Sequence, residues 1–425
     1  MENNNKRKKL TQREREVQVK KHIAILTAAG IVCIAIAGTF ISRNIQKSRE
    51  RANIQAAKEA ALQAEQEAEA AKKAEEASTI TLLAAGDNIG HENIINLAKQ
   101  PDNSYDFHFL YDQVKDEISQ ADIATIIQET ILVKDENNVT GYPEFGTPVS
   151  MGDALVDAGF DVILSATNHA YDKGSQGILD TVSFWKKQHP DIPCVGITDT
   201  PEEKDRYTIV EKKGVRIAIM DYTYGLNIEN TGDDAYMINM LDEETVGPKI
   251  QEAKANSDFL IFYMHAGIEN EHQPSDYEKY WMNYLLEQGV DITIASHSHV
   301  VSPVEYLTDD KGHKMLAYYG LGNFACTQKT VDTLLGGIAK ITLKIQENGV
   351  EISDYSFEPI ISHYNEDYSS IYICRLDDYT ADLAGDCGVH KYDSNTFDCT
   401  SLKKSFEEAL ELTITPLDDT RIGES

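Results

Sequence analysis

The sequence predicts an α/β fold built on a buried sheet, preceded by one transmembrane helix and a helical spacer. Three observations carry this. From residue 79 onward, short apolar runs alternate with segments whose apolar residues recur at helical spacing. Residues 23–41, IAILTAAGIVCIAIAGTFI, hold no charge. Residues 45–77 are mostly Ala, Glu, Gln, Lys and Arg and contain neither Gly nor Pro.

The uncharged stretch comes first in the chain. As a helix its residues rise about 28 Å, close to the ~30 Å hydrocarbon core of a bilayer. It is longer than the apolar core of a signal peptide. Ala37-Gly38-Thr39 has the small residues of a cleavage site, which leaves removal of the segment as the alternative. Residues 1–22 form a basic tail, with eight lysines and arginines against three glutamates, or +5. The positive-inside rule then places the N-terminus in the cytoplasm and the body outside the cell membrane, as a single-pass protein. The spacer, 42–78, is rich in strong helix formers and lacks the Leu/Ile heptads of a stable coiled coil. Fully helical, residues 45–77 would span roughly 50 Å.

The 425-residue chain carries a formal net charge of −31. With +5 at the N-terminus, the remainder is the more acidic, and nucleic acid is excluded as a partner. A bulk polyanion would also be repelled unless metals or local basic patches offset the field. Cys374, Cys387 and Cys399 cluster near the C-terminus. An oxidising compartment would allow one disulfide among them, and an odd number leaves the pairing open.

The body runs from 79 to 361. Its strand candidates are ITLLAA (80–85), DIATII (122–127), DVILSA (161–166), IPCVGI (192–197), RIAIMDY (216–222), DFLIFYM (258–264), DITIA (291–295), KMLAYY (314–319) and IAKITLKI (338–345). Several are almost continuously apolar, as strands covered on both faces are. Helical periodicity fills 151–158, 175–188 and 275–288. Residues 362–425 form an acidic, Tyr-rich segment with one short helix expected over 401–412.

The strand ends carry the chemistry. Asp87 closes the first run, Glu129 the second, and Asn168-His169 the third. His265 follows DFLIFYM, and His297 and His299 follow DITIA. Open α/β sheets place their sites beyond such ends. A carboxylate can bridge two cations, Asn168 offers a carbonyl oxygen, and three imidazoles complete the set. His297 and His299 are two apart and would share one face of an extended segment. Mixed oxygen and nitrogen ligation suits one or two divalent ions, with Mn, Fe or Zn favoured over Ca or Mg. His169 would point away from the ligand Asn168 and serve as general acid, oriented by Asp172.

These stretches resemble the bacterial CapA family, associated with capsule and poly-γ-glutamate synthesis, whose domain is similar to calcineurin-like metallophosphoesterases. The matching segments are AAGDNIGH (84–91), ADIATIIQETIL (121–132), ALVDAGFDVILSATNHAYDKGSQGILDT (154–181), MHAGIENEHQP (264–274), ASHSHVVSPVEYL (295–307) and YYGLGNF (318–324). The resemblance implies a four-layer αββα sandwich and a membrane-tethered protein of exopolymer production. It implies metal ligands at Asp87, Glu129, Asn168, His265, His297 and His299. The implied partners are an anionic exopolymer or its precursor and membrane-embedded polymer synthase subunits. Three departures from the pattern stand out. Ile89 stands where the phosphoesterases have a histidine, Ile127-Gln128 where Asn-Leu is usual, and Ser298 where the paired histidines usually enclose Pro. The first leaves two roles open: a metal-dependent hydrolase or transferase, and a non-catalytic scaffold or export factor with a vestigial site.

Overall fold

The computed structural model describes residues 11–417. The first ten residues of the basic tail and the last eight of the acidic segment lie outside the described residues.

The N-terminal unit is helical. One continuous helix, α1 (Gln12–Ser78), takes in both the apolar stretch and the spacer and buries none of its residues. It is long and apolar enough to cross a membrane.

The body from Ala77 onward is a second compact unit. Its strands are β1 (Thr79–Asn88), β2 (Ile123–Gln128), β3 (Leu132–Val133), β4 (Thr147–Pro148), β5 (Val162–Leu164), β6 (Cys194–Val195), β7 (Thr208–Lys212), β8 (Val215–Thr223), β9 (Phe259–His265), β10 (Ile292–Ser296), β11 (Val304–Thr308), β12 (Lys314–Tyr318), β13 (Asn323–Ala325), β14 (Leu335–Gln346), β15 (Gly349–Tyr364) and β16 (Ile371–Arg375). The first sheet has the order β16-β15-β14-β1-β2-β5-β6, with β13 on the end of β1; the second is β11-β12-β10-β9-β8-β7. The central strands β1, β2, β5 and β6 run parallel, as do β8, β9, β10 and β12. Their carboxyl ends therefore gather at one end of each sheet.

Side-chain alternation sorts each strand into two cores. From β1, Leu82 and Ala84 enter the core between the sheets, beside Ile219, Ile261 and Ile294. Leu83 and Ala85 face the opposite way, toward the helices α2 (Glu92–Ala98), α3 (Lys115–Ser119), α4 (Ser150–Ala158) and α5 (Gly174–Gln188), against Ile94, Ile118, Leu155 and Trp185. A third core packs α6 (Glu243–Asn256) and α7 (Asp276–Gln288) on the outer face of the second sheet through Ile250, Trp281 and Leu285. The result is a four-layer αββα sandwich. Ser275 and Glu278 cap α7 reciprocally, the S-x-x-E device that fixes a helix start.

The C-terminal segment joins the first sheet instead of standing apart from it. β15 runs through residue 362, β16 adds the edge strand, and Leu402 and Phe406 are buried in the same core as Leu83. The helix expected over 401–412 is Cys399–Leu410. The disulfide expected among Cys374, Cys387 and Cys399 is absent; all three thiols are free, and Cys399 Sγ lies 3.0 Å from the Tyr379 carbonyl oxygen, a hydrogen bond in place of a sulfur partner.

Candidate metal centre

The site forms where the carboxyl ends of both sheets meet. Gly86 admits the close approach that starts it. A Cβ at Gly86 would lie 1.9 Å from the Gly322 carbonyl oxygen, which accepts the Asp87 N–H at 3.2 Å. This contact seats the 320–323 turn against β1 and leaves Asp87 fully buried at the strand end. Gln128 ties the next strand end in, because its amide oxygen accepts the Asn88 Nδ2 donor at 2.7 Å while its own Nε2 donates to the Thr130 oxygen.

The six residues read as ligands come together. Asp87 Oδ2 lies 3.4 Å from His299 Nδ1, and Asp87 Oδ1 lies 4.0 Å from His265 Nδ1. Glu129 Oε2 is 3.8 Å from His299 Nδ1. His265 Nε2 is 2.9 Å from Asn168 Oδ1, and the His265 and His297 rings are 4.9 Å apart. The His297 N–H donates to Asp87 Oδ2 at 3.3 Å. Among the described residues, Asp87, Glu129 and His299 form a group whose donor atoms all lie within 4.8 Å of one another. Every member of the set of six is buried.

One expectation about this set is corrected. His297 and His299 do not lie on an extended segment: their φ angles are +94° and +63°. The chain leaves β10 at Ser296 and passes through positive φ on either side of Ser298, so strand alternation is not what aims the two rings. Non-glycine residues in this region are uncommon, and such strain concentrates at functional sites.

Burial and charge set the protonation states. Burial pushes Glu129 up to about 7; His299 opposes the rise and Asp87 adds to it. Burial alone would lower His299, but Glu129 and Asp87 outweigh it and raise it to about 9. His297 is lowered to about 3 by burial and by the neighbouring His299 and His169. Burial, with the same crowd of imidazoles, holds His265 well below its ordinary value. His265 and His297 are thereby held in the neutral form that binds a cation, whereas His299 would release its proton on binding one.

The donor set fits a divalent ion. Asp87 Oδ1, Glu129 Oε2 and His297 Nδ1 are buried with no hydrogen-bond partner. Each such atom costs about 1–3 kcal/mol when left unpaired, more for a charged group. A cation among them removes that cost.

Beside this set lies a dyad. His169 Nδ1 is 2.6 Å from Asp172 Oδ2, which also accepts the Phe145 N–H at 2.8 Å. The Phe145 ring stands edge-on to His169 at 4.7 Å. Burial opposes charge on His169, yet the bond to Asp172 and the field of Glu129 carry it above its ordinary value.

Ile89, where a histidine was expected by resemblance, is buried in the core beneath the first sheet. His91 does not take its place as a ligand: Nδ1 accepts the Thr327 N–H at 3.2 Å, and the ring packs on Phe145. Three other residues reach the site without having been singled out. Asn323 Oδ1 lies 3.0 Å from His299 Nδ1. Tyr224 packs on the His297 ring at 4.8 Å. Asn227 touches both Asn168 and His169. Asn323 lies inside the segment YYGLGNF, which was a usable signal; Tyr224 and Asn227 lie in an aperiodic loop, which was not.

The family model described as bacterial capsule synthesis protein PGA_cap matches residues 81–328, more than half the chain. Among curated proteins, the PGA biosynthesis protein CapA of Bacillus subtilis (strain 168) is 30% identical over 199 residues, covering 46% of this chain and 50% of the relative. The match thus spans half the length of that relative. The capsule biosynthesis protein CapA of Bacillus anthracis is 23% identical over 304 residues, covering 68% of this chain and 69% of the relative. Among solved structures, a 5'-nucleotidase precursor from Thermus thermophilus aligns with a TM-score of 0.41 at 15% identity, covering 67% of this chain and 54% of that one. The calcineurin-like phosphoesterase YfkN from Bacillus subtilis aligns with a TM-score of 0.38 at 15% identity, covering 78% and 97%.

Proposed function

Because the chain belongs to the bacterial capsule synthesis protein family PGA_cap, we propose that it is a membrane-anchored component of exopolymer production whose body is a metal-dependent hydrolase or transferase. The bond acted on is a phosphoester or an acyl or peptide-like bond of the polymer or its precursor. The observation that carries this reading is the convergence of Asp87, Glu129, Asn168, His265, His297 and His299 around buried, unpartnered donor atoms, with the His169–Asp172 dyad alongside.

Asp87, Glu129 and His299 would hold one ion, and Asn168, His265 and His297 extend the set toward a second. When bound, a divalent ion supplies a Lewis acid and lowers the pKa of water enough to give a nucleophile at neutral pH. The protein residues do the rest. Asp172 fixes His169 through Nδ1, so Nε2 is the atom that delivers a proton to the departing group. The buried walls exclude water, which strengthens each of these interactions.

In this reading the helix α1 anchors the body through residues 23–41, with the N-terminus cytoplasmic and the body outside. Its partners are an anionic exopolymer or precursor and membrane-embedded synthase subunits. Bound metal would offset the acidic charge of the chain where the polymer approaches. A second reading, a scaffold or export factor with a vestigial site, is favoured by Ile89 in place of a ligand histidine. The experiment that separates them is a hydrolysis screen on the purified full chain with manganese, against phosphodiester and γ-glutamyl substrates. Metal-dependent turnover lost in His169→Ala supports the enzyme. Metal binding without turnover on any of them, together with normal polymer output from His169→Ala cells, supports the scaffold.

A further inference from the structure

Asn227 lies in the loop of residues 224–240, which leaves β8 and returns where the Leu241 N–H meets the Thr223 oxygen. The loop is pinned at its far side by Asp234, whose carboxylate accepts the Tyr171 and Ser175 hydroxyls. From this position Asn227 touches both functional groups of the Asn168-His169 pair. Its N–H donates to the Asn168 carbonyl oxygen at 2.9 Å. Its Oδ1 accepts from Asn168 Nδ2 at 3.5 Å. Its Nδ2 lies 3.2 Å from His169 Nε2 and 3.4 Å from Nδ1.

A carboxamide has an acceptor end and a donor end of nearly equal shape, and its partners decide which one faces a cation. Asn168 has Oδ1 toward His265 at 2.9 Å, and Asn227 offers an oxygen to the opposite end. We propose that Asn227 is a positioning residue: it sets the Asn168 carboxamide with its oxygen toward the metal centre. The role rests on the metal-centre reading above. Groups that orient a ligand in this way typically contribute 10–100-fold to metal affinity.

The test is manganese titration of the full-length chain in detergent, with circular dichroism to verify folding. Asn227→Ala should weaken manganese binding by about 10–100-fold. Asn227→Asp keeps an acceptor for Asn168 Nδ2 and should bind manganese close to wild type. Wild-type affinity in Asn227→Ala would overturn the proposal, as would equal losses in the Ala and Asp variants. A wild-type chain that binds no manganese would instead overturn the metal-centre reading, and this role with it.

Discussion

His265 Nε2 lies 2.9 Å from Asn168 Oδ1, although His265 ends β9 in one sheet and Asn168 follows β5 in the other. The centre is therefore a seam. Neither sheet holds enough donors alone; Asp87, Glu129 and Asn168 come from the first and His265, His297 and His299 from the second. The inter-sheet core of Leu82, Ile219, Ile261 and Ile294 sets the spacing of the donors. Metal binding and sheet packing should be thermodynamically linked, since an ion that binds only the folded seam stabilises the sandwich.

His169 and His297 should separate in their effects. His169→Ala removes the proton donor and leaves the ligands, so metal content should stay near wild type while turnover falls by about 10²–10⁴. His297→Ala removes a ligand, so metal content and turnover should fall together. Elemental analysis beside kinetics reads both. A His169→Ala chain that loses its metal would show that His169 is a ligand and not an acid.

The pH dependence follows from the buried groups. Glu129 and His299 are raised above their ordinary values, to about 7 and about 9. Their contribution to metal-free stability is complete below the unfolded values and is lost as pH rises through those two points. His297 is depressed to about 3, so its contribution is present above about 6.5 and lost as pH falls toward 3. An ion replaces the proton on His299, so manganese should remove the alkaline loss, and metal affinity should climb between about pH 7 and 9. Thermal melts from pH 5 to 10, with chelator and with manganese, check this. Equal alkaline slopes in both series would contradict it.

Gly86→Ala tests the backbone contact beneath Asp87. The added Cβ meets the Gly322 oxygen at 1.9 Å, and backbone on both sides leaves little room to yield. The cost should be about 1–3 kcal/mol, with weaker metal binding because Asp87 is displaced. Gly385→Ala is the control, since nothing lies within 4 Å of its Cβ position. The two variants melting alike would remove the argument.

Much of this site was legible in the sequence, for a physical reason. Parallel strands carry near-continuous apolar runs, so a polar residue closing one, such as Asp87 or His265, stands out. The left-handed turns at His297 and His299 were not legible, because β10 reads as if it continued. β15 was missed because its first half is largely exposed and its alternation faint. α6 holds Pro248, which disguises a helix. The C-terminal segment hides its place in the first sheet behind acidic composition, since the residues that carry its packing, among them Ile373, Leu402 and Phe406, are scattered between charged ones. Asn227 sits in a loop without period and contributes through position alone.

Anchoring is tested in cells. If residues 23–41 span the membrane with the body outside, the protein should fractionate with membranes and be cut by protease added to intact protoplasts. A soluble body, or one protected in protoplasts and cut only after lysis, would contradict that arrangement.

The central claim is that the seam holds a divalent metal. Its most direct test is elemental analysis of the purified full-length chain, wild type beside the Asp87→Asn, His297→Ala double variant. The account predicts one or two equivalents of Mn, Fe or Zn in the wild type and loss of that metal in the folded double variant. A wild-type chain that carries no metal, and takes up none when manganese is added, would contradict it.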